Sequence, residues 1–475
     1  MTKKIILITA LLLAMVFVFV GCAGESFAFT ALTVETMDGP LTSNGGVSVA
    51  YKGYTYFING NVGTYSGENT FGKVEYGAIC RVKTASLTDG VFAERDLAND
   101  EYPEVEILAP KAVYTTASGS PNSNGIFIFN DRLYYTTPST TVDREGAVQN
   151  TYLDIMSVRL DGTDTQRMYT VEGNAFDMML AQKGDSVYAV YLNTESLYVA
   201  TITDAKPVET LIAEHVTLVK YLPETGVAVF VQEIPEEGHE DHDHEATSNS
   251  ISIYTVGDAE SAMMIDGEGP DVSLDAALTV AQLTPNYVYF TIADDPAGRD
   301  GLYRVALDAR DLVFESERMA LKVFGQNLLS SGVIYTNGTE EDIVFYNSKE
   351  LYVQYFSISN KTAKNLFYTV SAPSFVKAVG DKVFYVTSST LKYFSVEEMM
   401  NGNGDYAREE DNISVGKYVN AVTWLDYDFY ADYMLCLSTT SDSEVYLYYT
   451  DYNDMESDDK VNYFVGYYVN TATDK

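Results

Sequence analysis

Three of the four histidines in this 475-residue chain, His239, His242 and His244, fall within six positions, in the run Gly238-His-Glu-Asp-His-Asp-His-Glu245. Neutral imidazole nitrogens interleaved with carboxylate oxygens suit zinc, nickel or copper. A loop holds such an ion weakly unless neighbouring groups fix the rings. The run therefore reads either as a metal site, with zinc the expected ion, or as a solvated acidic insertion.

Two further acidic stretches have calcium-like chemistry. Asn401-Gly-Asn-Gly-Asp405, followed by Glu409, Glu410 and Asp411, places oxygen ligands at alternate positions, although the full twelve-residue calcium loop is absent. Asp294-Asp295 through Asp300 is a second acidic loop, and a polar turn explains either stretch equally well. Trp424 is the sole tryptophan and the best single candidate for a ligand contact, or else a core plug. Nucleophilic catalysis has little to build on. Gly-x-Ser-x-Gly is absent, and His215 is the one histidine outside the cluster, placed at a strand end in Leu211-Ile-Ala-Glu-His-Val216. Walker and dinucleotide-binding loops are also missing. Glycosidase chemistry needs two carboxylates, and 68 acidic residues leave any such pair unlocated.

The N-terminus supplies an address. Lys3 and Lys4 precede an apolar run from Ile5 to Val20, which ends in Phe19-Val20-Gly21-Cys22. Sixteen residues are short for a membrane span, and the run lacks an A-x-A cleavage site. The segment reads as a lipoprotein signal peptide over 1–21. Cleavage before Cys22 leaves a thiol that carries the lipid, with 22–45 as anchor and N-terminal strand or stalk. The expected location is the extracytoplasmic face of the cell membrane. Without Lys3 and Lys4 the chain has 28 basic residues against 68 acidic ones. A surface so acidic repels nucleic acid, which needs clustered Lys and Arg. Cys80 and Cys436 remain, either as buried free thiols or as a pair.

These candidates must be positioned by elements, and the elements repeat. A short apolar-aromatic strand after a Gly-, Asn- or Asp-containing turn recurs eight times. The copies start at Tyr54, Leu133, Val187, Val227, Val288, Val333, Val383 and Met434. A second motif follows each copy, as in Ala78-Ile-Cys-Arg-Val82, Asp154-Ile-Met-Ser-Val158, Gly301-Leu-Tyr-Arg-Val305 and Glu350-Leu-Tyr-Val-Gln354. The turns are hairpin signals, and period-2 alternation dominates over any helical period. About four strands in about 40–60 residues is the size of a propeller blade. The expectation is an all-β chain, with a single-ring β-propeller of seven or eight four-stranded blades over 46–470, eight favoured. The His-rich loop, 236–248, is an insertion within the fourth unit. The 27–34 stretch is expected to close the ring against the last blade or to act as a stalk. Closure would make the strands of Cys80 and Cys436 neighbours. Most of the 38 tyrosines fall at repeated strand positions and are expected in the core.

The lipobox, the Gly-Asp-x-Val-Tyr-type hairpin and the strand Leu302 to Asp308 carry a resemblance over about 45–470. They resemble the propeller domains of lipoproteins from anaerobic Gram-positive bacteria, which are similar to low-density-lipoprotein-receptor-type and TolB-like propellers. The resemblance implies fold and anchoring, with no active site to carry over. The His-rich run is also similar to the flexible loop of zinc-uptake lipoproteins, which have another fold. The functional expectation is a membrane-tethered binding or scaffold module for a protein, peptide or glycan, without catalysis. A carboxylate-dependent glycan-active enzyme and a metal-handling lipoprotein are the alternatives.

Overall fold

The computed structural model describes residues 42–43, 48–58, 78–85, 104–109, 125–139, 152–172, 178–235, 247–266, 268–269, 272–273, 277–295, 298–313, 322–387, 390–402, 404, 407–408 and 412–414. It further describes the backbone of 423–429, 433–439, 445–451, 463–465 and 468–469. The segments carrying Cys22, positions 27–34, His239, His242 and His244 lie outside these residues, as do Asp405, Glu409, Glu410 and Asp411 and the side chains of Trp424 and Cys436.

Within them the fold is a β-propeller. Eight antiparallel four-stranded meanders follow one another, at 48–109, 127–171, 178–213, 216–266, 277–324, 332–368, 374–414 and 423–465. We number them blades 1 to 8. Blade 3 shows the plan without additions: Met178–Lys183, Ser186–Asn193, Ser196–Thr201 and Glu209–Ala213, hydrogen-bonded in that order. Helix is confined, among the described residues, to short pieces such as Val396–Asn401, capped by the Ser395 hydroxyl accepting from the Glu398 amide.

The core lies between blades rather than within one. One buried cluster joins Ile155 of blade 2 to Leu180 and Tyr191 of blade 3. The next joins Val190 and Leu197 of blade 3 to Phe230 and Tyr254 of blade 4. The same arrangement continues through blades 4 and 5, 5 and 6, and 6 and 7. Neighbouring residues of one strand therefore serve opposite neighbours: Tyr191 packs toward blade 2 and Val190 toward blade 4. This explains why second strands such as Tyr287–Ala293 read as nearly continuous apolar runs, since both sheet faces are covered. Tyrosines meet the expectation of a core role. Tyr56, Tyr191, Tyr254, Tyr289 and Tyr385 are fully buried.

A β-bulge recurs at one point of the ladder between third and fourth strands. It falls after Ile79, Ile155, Leu197, Ile251, Leu302 and Val353 in blades 1 to 6. The extra residue on the outer strand is always apolar: Leu108, Met168, Ile212, Met264, Val323 and Leu366. A bulge twists the strand locally and re-aims one side chain. Four of these six are buried to within a few per cent.

Blade 6 corrects the repeat alignment. Val333 begins the motif expected after a hairpin turn, yet Gly332–Asn337 is the first strand of its blade, and Glu340–Asn347 is the second. Leu351-Tyr352 was expected to match Leu302-Tyr303. Leu351 instead lies in the turn at φ 61°, and Val353 takes the bulge position that Leu302 holds in blade 5. A two-residue shift of this kind preserves strand alternation, so pattern alone does not reveal it.

Both ends of the described chain are tied in. Thr42–Ser43 pairs antiparallel with the first strand of blade 2, through Thr42 opposite Ile128. After blade 8, Tyr468–Val469 runs parallel to the outer strand of blade 1, with Tyr468 opposite Glu104. This C-terminal pairing links the last blade to the first. Two internal clasps resemble it. Leu312–Val313, between the third and fourth strands of blade 5, runs parallel to the outer strand of blade 4. Arg408, in the corresponding connection of blade 7, bridges Tyr368 at the outer strand of blade 6.

Candidate functional site

A crevice of 910 Å³ lies on the flank of blade 6, bordered by blade 5 and by the blade 7 connection. Its floor is an amide ladder across three strands. Asn347 sits at the end of the second strand, Gln354 on the third just past the bulge, and Asn365 on the fourth. The Asn347 side-chain amide donates to Gln354 Oε1 at 3.2 Å. Gln354 Nε2 donates in turn to Asn365 Oδ1 at 2.7 Å and to Glu350 Oε2 at 2.9 Å. Gln354 is 6% exposed, and all these groups border the crevice. Asn347 is itself fixed by accepting from the Lys349 amide at 3.1 Å.

The walls are apolar on one side and glycine on the other. Phe324, on the outer strand of blade 5, is 40% exposed and rests edge-on against buried Phe356 at 5.3 Å. Gly404 lies so close to the outer strand of blade 6 that an added Cβ would fall 1.9 Å from the Asn365 carbonyl oxygen. No other residue fits that approach without moving backbone. Lys364 donates to the Met400 carbonyl and so fastens the blade 7 helix beside the crevice.

This site was not expected from sequence. At the position of Gln354, the other bulged blades place Cys80, Met156, Tyr198, Ser252 and Tyr303. An amide there is a departure from the repeat, and the two-residue misalignment of unit six concealed it.

The structure settles several expected positions. Asp295, expected in an acidic loop read as a polar turn or a calcium site, is engaged within the protein. Both of its oxygens accept from the Arg299 guanidinium, at 2.5 and 2.7 Å, and the pair is buried. Asp300 accepts from the Asp295 amide at 2.9 Å. Protein donors thus meet these acids, which form a structural turn. Gly402, from the Asn401–Asp405 run, ends the 396–401 helix by donating to the Glu398 carbonyl at 2.9 Å. Among the described residues no group of three or more His, Cys, Asp and Glu is arranged to hold a metal.

His215 is not the strand end expected. It sits at φ 57° in the joint between the outer strand of blade 3 and the first strand of blade 4, exposed. Its carbonyl accepts from the Glu233 amide at 3.0 Å, and Gln232 donates to the Glu214 carbonyl at 3.0 Å. Gln232 and Glu233 belong to the hairpin Val227–Pro235 and Thr247–Thr255, whose tip carries His239, His242 and His244. The ladder ends at Pro235 opposite Thr247, slightly longer than the 236–248 insertion implied. Trp424 lies on the first strand of blade 8, opposite Ser438, as expected. Cys80 is a buried free thiol on the third strand of blade 1, and burial pushes its pKa up.

Carboxylates, one buried and one half-buried, join blades elsewhere. Glu341 of blade 6, 4% exposed, accepts from blade 5: from Tyr289 at 2.9 Å, Asn286 at 3.0 Å and Thr284 at 3.1 Å. Asp381 of blade 7 accepts from Tyr335 of blade 6 at 3.1 Å. These are fixing contacts, satisfied within the protein.

No family model matches the sequence, and no curated protein matches it. Solved structures with a similar course include a puromycin hydrolase mutant complexed with PGG, at 10% identity and TM-score 0.43, covering 71% of this chain and 52% of that one. Hsv2p of Kluyveromyces lactis aligns at 13% identity and TM-score 0.34, covering 70% of this chain and 93% of that one. TolB from Acinetobacter baumannii aligns at 14% identity and TM-score 0.27, covering 57% and 62%. The chain spans about half the length of the puromycin hydrolases it resembles.

Proposed function

We propose that this protein is a non-catalytic binding module, a β-propeller lipoprotein held at the extracytoplasmic face of a membrane through Cys22. The ligand is a protein, peptide or glycan. The observation that carries the binding reading is the ordered amide ladder Asn347–Gln354–Asn365 facing a 910 Å³ crevice. Convergent, pre-oriented polar groups in a concavity of this size are the usual form of a ligand site. Among the described residues one carboxylate, Glu350, borders it, whereas the alternative glycan-active enzyme would need two facing carboxylates. The apolar run before Cys22 supports the anchor. Replacing Cys22→Ala should leave uncut precursor and abolish lipid labelling in the producing cell. Labelling that persists in this variant would remove the anchor from the reading.

A second reading, metal handling, is favoured by one placement. The 214–215 joint is hydrogen-bonded to the base of the hairpin that carries His239, His242 and His244. His215 thus lies beside the base of the hairpin whose connecting sequence holds the other three histidines, with zinc the expected ion.

A further inference from the structure

We infer that the blade 6 crevice takes a neutral oligosaccharide, an assignment that rests on the binding-module reading and names its ligand class. The first ground is the cost of the amide ladder. Gln354 is buried where five other blades carry Cys, Met, Tyr, Ser and Tyr at the same bulge. Burying an amide contributes little net stability even when fully hydrogen-bonded. A Leu or Tyr would fill the position at least as well for folding. Departures from a repeat that folding does not need are where function is expected.

The chemistry of the lining selects the class. Side-chain amides present a donor and an acceptor side by side, matching the adjacent hydroxyls on a sugar ring. Gln354 spends both amide hydrogens on Asn365 and Glu350 and so holds the floor in place, which leaves the second Asn347 amide hydrogen and the outer Glu350 oxygen as a donor and an acceptor bordering the crevice. Phe324 supplies the opposite requirement. It is 40% exposed yet braced by Phe356, so a flat apolar ring stands ready against the C–H face of a saccharide without ordering cost. The lining carries Lys349 and Lys364 against Glu350, a near balance of charge, and the Lys364 ammonium is already engaged by the Met400 carbonyl. A chain of net charge −38 also repels polyanions at a distance. The crevice therefore suits an uncharged, hydroxyl-rich ligand.

An extended peptide fits less well. One way for an extended peptide to dock on a blade flank is to add a strand to an open sheet edge. Here the outer edge of blade 6 is already taken at Tyr368, whose amide donates to the Ala407 carbonyl at 3.1 Å, with Arg408 bridged beside it.

The test is calorimetric titration of the purified full chain with cellotetraose, xylotetraose, maltotetraose and chitotetraose, and separately with a pool of random decapeptides. At least one tetrasaccharide should bind. Phe324→Ala should weaken it by about tenfold, equivalent to about 1.4 kcal/mol, and Phe324→Trp should restore it. Phe324 is exposed, so neither variant threatens the fold; Gln354→Ala serves as a second probe, with its melting point checked. Peptide binding lost in Phe324→Ala, with no saccharide bound, would overturn the saccharide and keep the module. Binding of neither probe would overturn both.

Discussion

Tyr289 of blade 5 donates its phenolic hydroxyl to Glu341 of blade 6 across 2.9 Å, with both side chains buried. The carboxylate gathers Asn286 and Thr284 from the same hairpin turn of blade 5, so one acid fixes the approach of two blades. Glu341→Ala would leave three donors without their acceptor in a dry site. The expected loss is about 2–4 kcal/mol, read as a lower denaturation midpoint. Tyr289→Phe should cost about 1 kcal/mol, because the carboxylate keeps its other two donors. A double mutant no worse than Glu341→Ala would confirm that the two residues act together.

Alkaline pH should weaken the fold through its buried tyrosines. Burial, and then Asp381, push the Tyr335 phenol up to about 12. The unfolded chain ionises this group near 10, so it sheds the proton first, and stability falls from pH 10 as pH climbs toward 12. Below pH 10 the contribution is fully present. Tyr191, Tyr289 and Tyr355 are also raised, chiefly by burial, and steepen the loss. Melting points taken through this range should decline less steeply in Tyr335→Phe than in the parent chain. Equal slopes would assign the alkaline loss to other groups.

Leu366, the extra residue of the blade 6 bulge, is fully buried between blades 6 and 7. Leu366→Ala should cost about 2–5 kcal/mol through the cavity it leaves. Deleting the residue should do more damage. The ladder would then run without its bulge, Asn365 and Phe367 becoming neighbours opposite Gln354 and Val353, so the local twist is lost together with the leucine contacts. Limited proteolysis within the 362–368 strand should then become rapid, whereas the alanine variant should resist.

Zinc offers a separate check on the fourth blade. Titrating the chain with Zn²⁺ should show a site that disappears when His239, His242 and His244 are all replaced by Ala, with the circular dichroism spectrum unchanged. His215→Ala alone distinguishes a site that draws on the joint from one confined to the hairpin tip. Unchanged zinc affinity in the triple variant would end the metal-handling reading.

The propeller was legible because every blade must present apolar side chains to two neighbours, and this writes the same short aromatic strand eight times over. The turns were equally plain, since Gly53, Gly184 and Gly380 occupy positive φ where hairpins demand it. The bulges were less visible. Nothing in Leu366 or Met264 distinguishes an inserted residue from its apolar neighbours, and only backbone register separates them. The crevice was hidden by a local coincidence: Leu351-Tyr352 imitates Leu302-Tyr303 two residues too early, which placed Gln354 at the end of a motif rather than at its bulge. The partner of Asp295 was hidden for another reason. Composition exposes the density of acids, but not the Arg299 side chain that folds back four residues later to meet one of them.

The parallel clasps bear on how such a ring is inherited. Blade 5 sends Leu312–Val313 onto blade 4, and blade 7 sends Arg408 onto blade 6. A recombination that copied blade 4 alone would yield an open edge, and one that copied blade 5 alone would yield a dangling strap. Copies of the pair 4–5, or of 6–7, carry edge and cover together. Lineages of this ring are thus expected to gain or lose blades by twos, keeping the crevice on blade 6 in the company of the blade 7 segment that forms its far wall.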